Sequence, residues 1–100
     1  MSDPVRSRSV RLGTIADCVV NTELLTELAR AYVRAGWKWG SRKGGDLRFP
    51  SAPELRATIL DLHAYSLPAR TGGLEVREDG SLFISSILFN ELRGGGIQGV

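Results

Sequence analysis

The sequence predicts an α+β domain, a small antiparallel sheet of two hairpins with two main helices packed on one face. Three observations predict it. Residues 22–35 and 51–67 repeat apolar side chains at three- and four-residue spacing. Residues 37–49 and 74–85 instead alternate apolar with polar side chains about glycine-bearing turns. The resulting order, helix, hairpin, helix, hairpin, suits helices gathered on one side of an antiparallel sheet.

The first helix, TELLTELARAYVRAG, sets Leu24, Leu25, Leu28, Tyr32 and Ala35 on one face. Asn21 or Thr22 starts it. Glu23 and Glu27 lie early and Arg30 and Arg34 late, which complements the helix dipole, and Gly36 ends it. Upstream, TIADCVV is ambiguous: Thr14 and Asp17 can cap a helical turn, whereas Val19 and Val20 suit a strand equally well. Helix is favoured. The residues before it, VRSRSVRL, read as an N-terminal strand.

After Gly36 the period becomes two. Trp37 and Trp39 alternate with Lys38, then Leu47 and Phe49 with Arg48, and GSRKGGD between them suits a hairpin turn. The four apolar side chains are expected to share one face beneath the first helix. The indoles are then mainly core, and the outward charges leave a basic tip.

The second helix follows FPSAPELRATILDLHAYSLP. Ser51 and Glu54 make a capping box, Pro53 is tolerated in the first turn, and Pro68 stops the helix. Leu55, Ile59, Leu62 and Ser66 form its stripe, widened by Leu60 and Leu67. In the second hairpin, LEVREDGSLFIS, a three-residue loop Glu78-Asp79-Gly80 pairs Val76 with Leu82 and Leu74 with Ile84, giving one apolar face. A two-residue turn would split that face. SSILFNELRG then reads as a short helix capped by Ser85 or Ser86.

One hundred residues with this apolar content make one small domain, 1–100, with flexible tails at about 1–8 and 94–100. One cysteine, Cys18, and one histidine, His63, leave no usual ligand set for zinc and no internal disulfide. No apolar run is long enough for a membrane span and no signal-peptide pattern is found, so a cytoplasmic protein without metal or cofactor is expected. His63 stands two residues from Asp61 and three from Ser66, poor geometry for a triad on a helix, and Cys18 reads as a small core residue. The C-terminal GGGIQG matches a dinucleotide fingerprint only in letters, because no strand leads into it and no helix follows.

The net charge is only +2, but six basic residues, Arg30, Arg34, Lys38, Arg42, Lys43 and Arg48, stand against Asp46 alone. Lys38, Arg42, Lys43 and Arg48 are therefore the candidate nucleic-acid-binding residues, on the hairpin 37–49. This helix ending in Gly36-Trp37, with a strand, a glycine-bearing basic turn and a second strand, resembles the double-stranded-RNA-binding-like fold of the HicA-type mRNA interferase toxins. The resemblance covers residues 22–49. It implies RNA as a partner, though those toxins carry a histidine at the turn where this chain has Lys43-Gly44-Gly45-Asp46. The leading expectation is a non-catalytic interaction module that self-associates as a homo-oligomer through sheet edges or its wide apolar helix. A nucleic-acid-binding protein is the alternative, and a small-molecule-binding protein or enzyme the third.

Overall fold

In a computed structural model the protein is described over residues 8–40, 46–65 and 68–94. The elements run β1 (Ser9–Thr14), α1 (Ile15–Val19), α2 (Thr22–Ala35), α3 (Ala52–Ala64), β2 (Ala69–Thr71), β3 (Leu74–Val76), β4 (Ser81–Ser85) and α4 (Ser86–Gly94). The strands form one antiparallel sheet in the order β1-β4-β3-β2, an α+β architecture. Apart from Arg8 and Gly94, the expected tails lie outside the described residues.

Local sequence explains most element boundaries. The Thr14 hydroxyl accepts the Asp17 N–H to start α1, and the Asn21 carboxamide accepts the Leu24 N–H to start α2. Gly36 closes α2 in the left-handed conformation. At α3 both halves of the Ser51–Glu54 capping box are formed. The β3–β4 loop has the predicted register, with Val76 opposite Leu82, Leu74 opposite Ile84, and Gly80 at φ +85°. Ser85 caps α4, its hydroxyl accepting the Ile87 N–H.

The core lies between the helices and one sheet face. Leu74, Val76, Leu82 and Ile84 meet Leu25, Leu28 and Tyr32 of α2, Leu55, Ile59 and Leu62 of α3, and Leu88 of α4. Ile15 and Cys18 of α1 complete it. The stripe on α3 is narrower than expected, because Leu60 is exposed and the helix ends at Ala64. Ser66 and Leu67 lie outside the described residues.

The first predicted hairpin needs correction. Among the described residues of this segment, 37–40 and 46–49, none joins a strand of the sheet, and one bridge forms, in which Trp39 and Arg48 exchange both backbone hydrogen bonds at 2.9 Å. That pairing sets odd residues of the first arm opposite even residues of the second. The one-residue offset turns Leu47 and Phe49 away from the indoles. Leu47 is accordingly 56% exposed, and Lys38 lies 5.2 Å from the centre of the Phe49 ring. The helix-then-two-sheet-strands layout behind the toxin resemblance is thus not reproduced. The place of that hairpin in the sheet is taken by β2, joined to β3 by the two-residue turn Gly72-Gly73.

The tryptophans still pack on the core, half-buried. They flank Tyr32, with ring centroids 6.1 Å (Trp37) and 5.4 Å (Trp39) away. The buried Tyr32 hydroxyl donates to the Gly72 carbonyl, and burial pushes its pKa far up, keeping it a protonated donor. A β-carbon at Gly73 would come within 3.2 Å of Trp37, and one at Gly72 would overlap Trp39. The indoles therefore roof the β2–β3 turn.

Candidate functional site

Among the described residues no element covers the sheet face opposite the helices, and alternation decides what that face carries. Side chains of β3 and β4 that point away from Leu74, Val76, Leu82 and Ile84 are Glu75, Ser81, Phe83 and Ser85, with Arg77 directly after β3 continuing the alternation. Register extends this set across all four strands. Arg70 of β2 is opposite Glu75, Glu75 is opposite Phe83, and Phe83 is opposite Arg11 of β1. One row thus reads arginine, carboxylate, phenyl ring, arginine. Ser9 and Ser85 form the next pair on the same face, with Arg8 just before β1.

The carboxylate in this row is neutralised locally. Arg77 Nε donates to Glu75 Oε2 at 3.1 Å, and the Ser9 hydroxyl donates to Glu75 Oε1 at 3.3 Å. The Arg77 guanidinium also stacks 3.7 Å from the Phe83 ring centre, a planar cation over a π-face. Arg11 donates to the Ser81 hydroxyl at 3.2 Å. Among the described residues, Arg11 and Arg70 form no ion pair, so the row that holds Phe83 has a cationic surplus.

Asp79 in the loop beside this face is held below its ordinary pKa of 3.8. Hydrogen bonds from the Ser81 side chain and backbone are the main cause, and the nearby Arg11 charge adds to them. A depressed carboxylate stabilises the fold above its unfolded pKa and loses that contribution as pH falls through its lower native value. The stability advantage of wild type over Asp79→Asn is therefore expected to keep its full charge-dependent part above about pH 5 and to shrink below about pH 4. Urea unfolding at a series of pH values checks this; a difference constant down to pH 2 contradicts it.

The residues singled out in the sequence are dispersed. Three of the six cations between Arg30 and Arg48 pair with carboxylates: Arg30 with Glu27 at 2.8 Å, Arg34 with Glu91 at 3.5 Å, and Arg48 with Glu54. Lys38 sits over Phe49 on the opposite side of the bridged arms from Arg48. Arg42 and Lys43 lie outside the described residues. An excess counted along the chain is thus partly cancelled in space, while Arg11, Arg70 and Arg77 share one face of the sheet.

Other chemistry finds little geometry. Cys18 is 2% exposed, and burial followed by the Asp17 carboxylate raises its pKa, which disfavours the thiolate. His63 is exposed, since the buried stripe of α3 runs through Leu55, Ile59 and Leu62. Among the described residues no group of three His, Cys, Asp or Glu side chains could hold a metal, and no helix is long and apolar enough to cross a membrane. Compared with protein families, curated proteins and solved structures, the chain matches none.

Proposed function

We propose that this protein is a non-catalytic binding module that holds a single-stranded nucleic acid across the helix-free face of its sheet. One observation carries the reading: Arg11 and Arg70, without carboxylate partners among the described residues, share a row with Phe83, over which Arg77 stacks, and Arg8 borders the same face at its Ser85 end. Cations neutralise phosphates, while an aromatic or guanidinium plane stacks a base of any identity. A duplex hides its base faces and cannot use the ring. Three interstrand spacings of about 4.8 Å give a platform about 14 Å wide, suited to a few nucleotides and modest affinity.

Labelled single- and double-stranded oligonucleotides titrated at low salt test this. The single strand is expected to bind more tightly, and Phe83→Ala to weaken it by about 1–3 kcal/mol, the worth of one stacked base. Absence of binding at low salt, or an affinity unchanged by Phe83→Ala, rejects the reading. A second reading, self-association, is supported by the two edge strands, β1 and β2, which have no further strand beside them among the described residues. Light scattering during the same titration separates the two.

A further inference from the structure

A cleft of about 220 Å³ opens where the sheet face meets the Gly72-Gly73 turn. Its walls include Arg8, Arg70, Thr71, Ser85 and the Trp37 indole. Glu75 also lines it, but its carboxylate is engaged by Arg77 and Ser9. The guanidinium groups of Arg8 and Arg70 have neither a hydrogen-bond nor an ion-pair partner among the described residues, so two cations without such partners border one small space. The Ser85 oxygen accepts the Ile87 N–H, which leaves its proton available to donate. Trp37 lies against Gly73 and closes one side.

We propose that this cleft binds a terminal phosphate group, from a free nucleotide or from the end of a strand lying on the sheet. The proposal rests on the sheet-face reading and adds a subsite to it. A phosphate monoester carries close to two negative charges at neutral pH, and a diester within a strand carries one. Two guanidinium groups and the Ser85 hydroxyl match the monoester, each arginine able to engage phosphate oxygens through paired N–H groups. The indole in the wall gives a base or ribose an apolar surface beside the charge, and makes occupancy visible in fluorescence.

The test uses tryptophan fluorescence and anisotropy with four probes: inorganic phosphate, adenosine monophosphate, and one short single strand with or without a terminal phosphate at either end. The phosphorylated strand is expected to bind about tenfold more tightly than its unphosphorylated twin, as two charge-assisted contacts would give. Phosphate and the mononucleotide are expected to compete with it. Arg8→Ala with Arg70→Ala should erase the preference, and Trp37→Phe should remove the fluorescence change while retaining the preference. Both arginine positions are exposed, and an unfolding curve confirms that the double variant folds. Equal affinity for the two strands, with no response to phosphate or mononucleotide, overturns the subsite and leaves the sheet-face reading standing. Binding of mononucleotide without binding of any strand does the reverse.

Discussion

Replacing Gly72 by alanine is expected to destabilise the fold by about 2–5 kcal/mol, a large fraction of the stability of a domain this size. Two costs combine. Gly72 has φ +53°, where an L-residue loses about 1–2 kcal/mol. Its new β-carbon would stand 1.9 Å from the Trp39 ring, which is packed against Tyr32 and cannot swing freely, so overpacking adds about 1–3 kcal/mol. Gly36→Ala is the control: its φ is +69°, but nothing lies within 4 Å of the added carbon, so only the backbone cost applies. Urea denaturation of the two variants separates the terms. Repeating Gly72→Ala in a Trp39→Ala background should recover most of the excess, because neighbouring substitutions that share a contact are not additive. Equal costs for Gly72→Ala and Gly36→Ala would refute the packing of Trp39 over the turn.

That contact marks where the sequence could and could not be read. Features set by neighbours along the chain were legible: the Ser51 capping box, the Gly36 helix end, and the register of Val76 with Leu82. The parity of residues 37–49 was not. The loop between the arms has no composition that fixes its length, and a one-residue offset reverses every side chain. Strand β2 was missed because Ala69-Arg70-Thr71 has neither apolar alternation nor length, although Gly72-Gly73 before Leu74 is a two-residue hairpin signal. Its partner Trp39 is distant in sequence, so only the fold reveals why that turn must be glycine.

The candidate site was hidden for a related reason. Charge was sought in runs, and the run from Arg30 to Arg48 is answered by Glu27, Glu91 and Glu54. The open face instead draws Arg11 from β1 and Arg70 from β2, brought into one row because β1 pairs with β4 at the far side of the sheet. A trace was present in the second hairpin. Once Leu74, Val76, Leu82 and Ile84 face inward, Phe83 is left on the polar side between Glu75 and Arg11, where burial alone gives no reason for a phenyl ring.

The affinity of the sheet face for a single strand is expected to fall about 20-fold between 50 and 200 mM salt. Three arginines without carboxylate partners among the described residues, Arg8, Arg11 and Arg70, can each neutralise one phosphate, whereas Glu75 already engages Arg77, and each contact contributes about −0.7 to the slope of log affinity against log salt for a single strand. Their sum is about −2.1, and a fourfold rise in salt then gives that loss. Slope reports contact directly, since a variant that merely unfolds loses active protein without changing the ions released per binding event. Arg11→Ala and Arg70→Ala should each flatten the slope by about 0.7 and together by about 1.4. Arg48→Ala should leave it unchanged, because Glu54 already neutralises that guanidinium. Replacing Arg42 and Lys43 together by alanine provides the rival comparison. A slope flattened by this pair and untouched by Arg11→Ala and Arg70→Ala would move the binding site from the sheet to the basic segment that the sequence first suggested.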